Sequence, residues 1–380
     1  MSTSSDSRRY RARDLGIPFL GEPGANNAIT DVPGLEVGYV TLLAGEDIRT
    51  GVTAILPRGR EKIGTACAAG FYSLNGNGEM TGTIWLEETG AIAMPIMITN
   101  THAVGPIHRG VIDWVNQNKP ELAAQWLLPV VAETWDGYLN DINGSHLHTA
   151  HAMEAIDSAT GGKVEEGSVG GGTGMNCYEF KGGSGTSSRL VPYGPDEYVV
   201  AAFVQANFGS RDELMIAGVP MVGIDRPNPL GDSDWFAKDI ANAKFPGGAG
   251  SVIVVIATNA PLLPAQCKAL AKRVPLGLAR TGTTGSHFSG DIFIAFSTAN
   301  EGALQSGFPT VEVGENDYDQ MKSIPWGRMD RFYRATVQAV EEAVVNALIV
   351  NEDLQGRNGH ISYALPHDQV LAKLRAANRI

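Results

Sequence analysis

The stretch Phe245-Pro246-Gly247-Gly248-Ala249-Gly250-Ser251 runs directly into Val252-Ile253-Val254-Val255-Ile256-Ala257-Thr258. The first half is almost without side chains, and the second is an apolar, β-branched run typical of a buried strand. Because Gly250 has no Cβ, the hydroxyl of Ser251 can approach the carbonyl group of Gly250. One interpretation is a Gly250–Ser251 bond that its own serine cleaves, which leaves Ser251 as a nucleophile beside its own α-amine. The other is an ordinary glycine-rich loop before a strand.

Composition restricts the function classes. The 380 residues are 43% hydrophobic and 18% charged, which is typical of a globular protein with ample core material. A net charge of −12 with no basic stripe argues against nucleic-acid binding. No run is long and apolar enough to cross a membrane. The polar N-terminus lacks a signal-peptide pattern, so we expect a cytoplasmic protein, or a periplasmic one if a leader has been removed.

The three cysteines, Cys67, Cys177 and Cys267, are odd in number and far apart in the sequence. This spacing argues against a disulfide framework and against a zinc site built from paired thiolates.

Strands and helices alternate along the chain. Apolar runs predict strands at 197–205, 251–258 and 291–298, and helical spacing of apolar residues predicts a long helix at 327–350. Sheets covered by long amphipathic helices indicate an α+β or layered α/β fold.

Two further segments offer competing sites. His146, His148 and His151 lie within six residues at the start of a helix predicted at 147–159, so a metal-dependent amidohydrolase is an alternative function. The glycine-rich segment 167–174 hints at phosphate binding, but it lacks the strand-before and helix-after context of a dinucleotide site and favours a tight hairpin. A non-enzymatic binding or assembly protein is a third possibility.

Two polar groups fit the idea of a serine nucleophile better. Ser289 and Asp291 stand two residues apart at the entrance of the 291–298 strand, so they share one face and could form a hydroxyl–carboxylate proton relay. Asn207 follows the 197–205 run at the tip of the strand, where its amide could stabilise an oxyanion.

Five motifs occur together in the chain: Asn100-Thr101-His102-Ala103-Val104-Gly105, Glu133-Thr134-Trp135-Asp136-Gly137-Tyr138-Leu139-Asn140-Asp141, Ala206-Asn207-Phe208-Gly209, Gly250-Ser251 with its apolar run, and Ser289-Gly290-Asp291. With them the chain, roughly from Asp14 to its end, resembles the DmpA family of L-aminopeptidase/D-amino-acid esterase-amidases and β-aminopeptidases. The resemblance implies a four-layer αββα sandwich, similar to N-terminal-nucleophile hydrolases but with different connectivity.

The resemblance also implies how the protein is made and assembled. A single catalytic domain, 1–380, would cut itself into chains 1–250 and 251–380 that stay together. We expect a homo-oligomer, with a tetramer of two-chain protomers as the implied form. No cofactor or metal is implied. The substrates would be short peptides, amides or esters with a free N-terminal amine, carried by L-, D- or β-amino acids.

Individual roles follow from the same resemblance. Ser251 matches the nucleophile and new N-terminus, and Gly250 contributes the carbonyl attacked during maturation. Asn207 matches the oxyanion donor, helped by backbone amides, and Ser289 with Asp291 matches the pair that assists proton transfer. Some family members carry glutamate where Asp291 stands. The remaining matches are Tyr138 near the nucleophile and Glu133 with Trp135 in the pocket wall, where a carboxylate pairs with the substrate ammonium.

Overall fold

The computed structural model describes residues 10–231, 235, 250–309, 312–314 and 317–380. Residues 245–249 of the stretch quoted above lie outside the described residues, whereas Gly250 and Ser251 lie inside them.

Two β-sheets form the centre of the molecule. The six-stranded sheet has the order β4-β3-β14-β13-β10-β9. Its strands are β3 (Cys67–Ser73), β4 (Ala91–Ile92), β9 (Gly183–Tyr193), β10 (Asp196–Asn207), β13 (Ser251–Thr258) and β14 (Gly290–Ser297). The four-stranded sheet has the order β1-β2-β5-β6. Its strands are β1 (Glu36–Ala44), β2 (Ile48–Leu56), β5 (Ile96–Asn100) and β6 (Val130–Thr134).

Helices cover the outer face of each sheet. The four-stranded sheet packs against α2 (Val104–Asn118) and α3 (Thr149–Asp157). The six-stranded sheet packs against α4 (Pro264–Ala271), α5 (Val274–Ala279), α6 (Asp330–Ile349) and α7 (His367–Ala376). Short elements lie between these layers or at their edges: α1 (Thr83–Thr89), β7 (Asn176–Cys177), β8 (Phe180–Lys181), β11 (Met215–Ile216), β12 (Val219–Pro220), β15 (Leu354–Gln355) and β16 (Ile361–Ser362).

The strand β13 shows why the sequence folds into four layers. Its side chains alternate between the two faces of the sheet. Val252 and Val254 face the core under the helices, whereas Ile253 and Val255 face the core between the two sheets. Both faces are therefore buried, which accounts for the uninterrupted apolar run. The predicted αββα sandwich is confirmed.

The local predictions have mixed outcomes. The strands at 197–205, 251–258 and 291–298 are confirmed as β10, β13 and β14, and the helix at 327–350 as α6. The predicted hairpin at 167–174 is wrong, because Gly170–Gly172 forms a single 3-10 turn. A Cβ at Gly171 would lie 2.6 Å from the carbonyl oxygen of Ile98 and 2.3 Å from Gln205 Oε1, so the glycine permits this close passage between the sheets.

None of the described helices combines the length and the apolar character needed to span a bilayer.

Candidate active site

Ser251 is the first residue of β13 and lies between two neighbouring strands. On one side it pairs with Asn207, the last residue of the antiparallel strand β10. On the other it pairs with Gly290, the first residue of the parallel strand β14. The side chain is only 4% exposed, yet Gly250 and Ser251 both line a cavity of about 570 Å³. The register of three strands therefore places this hydroxyl at the base of a cavity.

The Ser251 hydroxyl contacts the peptide bond that precedes it. Its Oγ donates to the carbonyl oxygen of Gly250 at 2.7 Å. The N–H of Gly290 lies 3.3 Å from that carbonyl oxygen and 3.3 Å from Oγ. A Cβ at Gly250 would lie 2.7 Å from the carbonyl oxygen of Asn207, so only glycine fits here without displacing β10. The serine hydroxyl, the carbonyl group that precedes it and a backbone donor are thus held together.

Ser289 and Asp291 contact each other as their spacing predicts. The Ser289 hydroxyl donates to Asp291 Oδ1, and both side chains are buried. Asp291 Oδ2 accepts a hydrogen bond from Asn75 Nδ2 at 2.9 Å. Burial raises the pKa of Asp291, while the hydrogen bonds from Ser289, the main-chain N–H of Val252 and Asn75 act in the opposite direction. A raised pKa makes this carboxylate a better proton acceptor than an exposed aspartate.

The side chain of Asn207 is fixed by two main-chain partners. Its Oδ1 accepts from the N–H of Asn176 at 2.9 Å, and its Nδ2 donates to the carbonyl oxygen of Trp135 at 2.9 Å. These two contacts determine which end of the amide is the donor. Asn207 is the residue paired with Ser251 across the ladder, and its amide nitrogen carries a second hydrogen.

Glu133 lines the same cavity at the end of β6, with 2% of its surface exposed. Its Oε1 accepts the N–H of Glu79 at 2.9 Å, and its Oε2 accepts the hydroxyl of Thr101. Burial raises the pKa of Glu133, and the Thr101 and Glu79 hydrogen bonds partly oppose that effect. A buried carboxylate held by neutral donors suits the binding of a cation from the substrate.

Aromatic rings form one wall of the cavity. Trp135 and Trp235 line it, with ring centroids 6.3 Å apart. Tyr138 lies behind this wall: it packs edge-on against Trp235 at 4.9 Å and stacks on His360 at 4.6 Å, and its hydroxyl donates to the carbonyl oxygen of Ile361 at 3.3 Å. The structure therefore brings Ser251, Glu133 and Trp135 to one cavity and places Tyr138 in the layer that supports it.

Sequence reasoning missed Asn75, Asn77 and Glu79, which follow β3. Asn77 and Glu79 line the cavity, Asn75 contacts Asp291, and the N–H of Glu79 contacts Glu133. Asn75-Gly76-Asn77-Gly78 consists of residues common in turns and loops, and nothing in that pattern indicates that the segment crosses a second strand.

The histidine cluster does not support the metal-dependent alternative. His148 precedes the first turn of α3, its N–H donates to His151 Nδ1 at 2.9 Å, and the two rings stack. His146 lies 3.7 Å from Asp141. Within the described ranges, no three His, Cys, Asp or Glu side chains are grouped as metal ligands. The predicted start of a partly exposed helix is the better account of this segment.

Comparison with known proteins agrees with the geometry. The sequence profile of Peptidase family S58 matches residues 27–362. The β-peptidyl aminopeptidase BapA of Sphingosinicella microcystinivorans is 47% identical, over 97% of this chain and 93% of that protein. BapA of Sphingosinicella xenopeptidilytica is 43% identical, over 96% of this chain and 91% of that protein.

Solved structures lead to the same group. The L-aminopeptidase D-Ala-esterase/amidase of Ochrobactrum anthropi, described as a prototype serine aminopeptidase and a new variant of the Ntn hydrolase fold, superposes with a TM-score of 0.87. It is 42% identical, with 97% of this chain and 99% of that chain covered. A Burkholderia β-aminopeptidase superposes with a TM-score of 0.86 at 42% identity and the same coverage. The chain therefore belongs to Peptidase family S58 and is a serine aminopeptidase with an Ntn-hydrolase fold.

Proposed function

We propose that Ser251 is both the residue at which this aminopeptidase cuts itself and the nucleophile of the mature enzyme. One observation carries the proposal: Ser251 Oγ lies 2.7 Å from the carbonyl oxygen of Gly250, at the base of a cavity that also holds Glu133. A hydroxyl so close to the preceding peptide bond is placed for self-cleavage, and the same hydroxyl is placed for substrate afterwards.

Self-cleavage begins when Ser251 Oγ attacks the Gly250 carbonyl carbon. The carbonyl oxygen takes up negative charge, which the N–H of Gly290 at 3.3 Å stabilises. The proton that leaves Oγ passes through the Ser289–Asp291 pair to the Ser251 nitrogen as the C–N bond breaks, so the nitrogen becomes a free amine and Gly250 is held as an ester on Oγ. Water hydrolyses the ester, which leaves a carboxylate on Gly250 and a free hydroxyl on Ser251.

Substrate turnover reuses this geometry. Glu133 pairs with the ammonium group of a short peptide, amide or ester, and Ser251 Oγ attacks its first carbonyl carbon. Asn207 Nδ2 and the Gly290 N–H donate to the oxyanion. The leaving amine or alcohol departs with a proton, and water then releases the N-terminal amino acid from Oγ. Every step uses side chains and backbone groups of this chain, so no cofactor enters the proposal.

Two groups are placed to accept the Ser251 proton. One is the α-amine that cleavage creates on the same residue. The other is the Ser289–Asp291 pair, which adjoins Ser251 through Gly290. Before cleavage only the pair is available, because the Ser251 nitrogen is still part of a peptide bond. In cleaved protein, substitution of Ser289 by alanine separates the two routes, because it leaves the amine intact and removes only the second.

The substrate amino acid is proposed from the relatives. Two are named β-peptidyl aminopeptidases, and a third is named for L-aminopeptides and D-Ala esters. We propose that this protein acts on short substrates of the same class with a free N-terminal amine. The kcat/KM values for matched β-alanyl, L-alanyl and D-alanyl amides rank the three classes of N-terminal amino acid directly.

Maturation is the first prediction. The purified protein should separate on a denaturing gel into chains of 250 and 130 residues, and sequencing of the smaller chain should begin Ser251-Val252-Ile253. Ser251→Ala should remain a single inactive chain, since no other hydroxyl is bonded to the Gly250 carbonyl among the described residues. Ser289→Ala keeps the attacking hydroxyl but removes part of the pair proposed to accept its proton, so it should cleave more slowly than the unaltered protein rather than remain uncut. A fully active, uncut protein of 40.3 kDa would contradict the proposal.

The oxyanion role of Asn207 gives the second prediction. Asn207→Ala should lower kcat about 100- to 1,000-fold, as expected for loss of one preorganised oxyanion donor. KM should change little, because the interaction forms in the transition state. Asn207→Asp keeps the volume but replaces the donor with an acceptor, so it should be at least as impaired. Steady-state rates are normalised to the cleaved fraction, and a loss below tenfold in a fully cleaved variant refutes the role.

Glu133 supplies the third prediction. Glu133→Gln should reduce, by about tenfold or more, the preference in kcat/KM for alanyl-p-nitroanilide over its N-acetyl form, because the charged partner of the ammonium is lost. Burial raises the pKa of Glu133, so KM of the unaltered enzyme should rise as pH falls through that raised pKa. The variant should lack this rise.

The control for Glu133 is Glu79→Gln. It removes a carboxylate from the same cavity but keeps the backbone N–H that contacts Glu133. It should retain the preference for the free amine. Equal losses in both variants would mean that overall cavity charge, rather than Glu133, selects the substrate. Rates should also be unchanged by EDTA, and a loss on chelation would favour the metal-dependent alternative.

We further propose a homo-oligomer of two-chain protomers, with a tetramer as the expected form. Exposed rings support it: Trp126 is 66% and Phe308 56% exposed, with centroids 5.5 Å apart, and Trp85 and Leu128 line the same shallow depression. Contiguous exposed apolar side chains of this kind mark association surfaces.

The fourth prediction tests that surface. Light scattering at micromolar concentration should give a multiple of the 40.3 kDa protomer mass, and Trp126→Ser should lower it. Trp326→Ser is the control. Trp326 is 54% exposed in the short 3-10 turn just before α6, and it does not line the depression. A protomer mass for the unaltered protein would remove the proposal.

A further inference from the structure

The loop of residues 74–79, here called the asparagine loop, connects the two carboxylates of the site. It follows β3 and crosses the start of β14. Asn75 Nδ2 donates to Asp291 Oδ2 at 2.9 Å and to the carbonyl oxygen of Ser286 at 2.9 Å. At the other end of the loop, the N–H of Glu79 donates to Glu133 Oε1 at 2.9 Å.

The main chain fixes the position of Asn75. The N–H of Leu74 donates to the carbonyl oxygen of Asp291 at 2.9 Å, and Ser73 Oγ donates to the carbonyl oxygen of Asn75 at 2.9 Å. The backbone of Asn75 is therefore fixed by the hydrogen bond of the preceding residue, Leu74, and by the hydrogen bond to its own carbonyl oxygen. This backbone position directs the Asn75 amide towards Asp291.

The loop and β14 are in direct contact. A Cβ at Gly290 would lie 2.5 Å from the carbonyl oxygen of Asn77 and 2.7 Å from the Cα of Gly78. The two backbones thus pass each other with no room for a side chain. This backbone packing holds the loop beside β14 and so sets the distance between the Asn75 amide and the Asp291 carboxylate. Asn77 Nδ2 donates separately to the carbonyl oxygen of Phe288 at 2.8 Å.

The Asp291 carboxylate is held entirely by neutral donors. The described groups that favour its ionised form are the Ser289 hydroxyl, the N–H of Val252 and the Asn75 amide. Rotation of a carboxylate about its last torsion is broad and roughly two-fold. The hydrogen bond from Asn75 to Oδ2 therefore fixes the rotation of the carboxylate, and in that rotation Oδ1 faces Ser289.

We propose that Asn75 is a positioning residue for the Ser289–Asp291 pair: its amide orients the Asp291 carboxylate so that Oδ1 faces the Ser289 hydroxyl. This inference rests on the proposed function, in which that pair assists proton transfer at Ser251. Asn75 touches neither Ser251 nor the cavity in the described contacts, and it acts through Asp291.

Asn75→Ala removes the donor and Asn75→Asp keeps the shape while replacing the donor with a negative charge. Because the lost hydrogen bond favours the ionised carboxylate, the pKa of Asp291 rises, and the acid limb of the kcat/KM profile should move up by about one pH unit in Asn75→Ala. The shift should be larger in Asn75→Asp. At neutral pH kcat should fall about tenfold with KM nearly unchanged, and Asn75→Gln, which keeps an amide donor, should recover part of the loss.

Asn77→Ala is the matched control. It removes an equivalent amide from the same loop, but that amide contacts a backbone carbonyl rather than Asp291. Its acid limb should stay where it is in the unaltered enzyme. The cavity also holds Glu79, Glu133, Asp141, His102 and Arg357, and cleavage adds the Ser251 amine, so the comparison between variants, rather than one profile, identifies the Asp291 contribution.

A double substitution completes the test. In an Asp291→Asn background, Asn75→Ala should cause no further loss of kcat, because residues that act as a unit are not additive. Full activity of Asp291→Asn would refute the proposed role of the Ser289–Asp291 pair. An impaired Asp291→Asn beside an Asn75→Ala with unchanged kcat and acid limb would refute only the role of Asn75. For any variant that cleaves slowly, the half-time of maturation at each pH provides the same comparison.

Discussion

The register of β13 between β10 and β14 is the constraint on which the site depends. An antiparallel ladder on one side places Asn207 opposite Ser251, and a parallel ladder on the other places Gly290 beside it. Apolar side chains on both faces of β13 lock that register, since a slip by one residue would exchange the two buried faces. The burial that stabilises the sandwich thus also positions the hydroxyl, the amide and the backbone donor.

Neutral donors form the hydrogen bonds to both carboxylates of the site. Glu133 is held by a hydroxyl and a backbone N–H, and Asp291 by a hydroxyl, a backbone N–H and an amide. Burial raises the pKa of both, and these donors limit the rise without neutralising the charge. Each carboxylate therefore remains able to respond to an added positive charge or proton, which a fixed arginine partner would prevent.

Much of this could be predicted from the sequence, and the limits have physical causes. The β-branched run after Ser251 and the two-residue spacing of Ser289 and Asp291 follow from strand periodicity, and both are found as predicted. The contacts of Asn75 and Tyr138 depend on how distant elements cross, which local spacing does not encode. The hairpin predicted at 167–174 is wrong because the glycines of this segment permit close passage between the sheets instead.

The strand order has a consequence for how the enzyme loses its fold. The central strands β13 and β14 come after Ser251, whereas their outer neighbours β10 and β3 come before it. The proposed cut before Ser251 would therefore convert a sheet made by one chain into a sheet shared by two interleaved chains. Unfolding would then release two molecules instead of one, so the midpoint would depend on protein concentration. Refolding from separated chains would also pass through a bimolecular encounter, which a single uncut chain avoids.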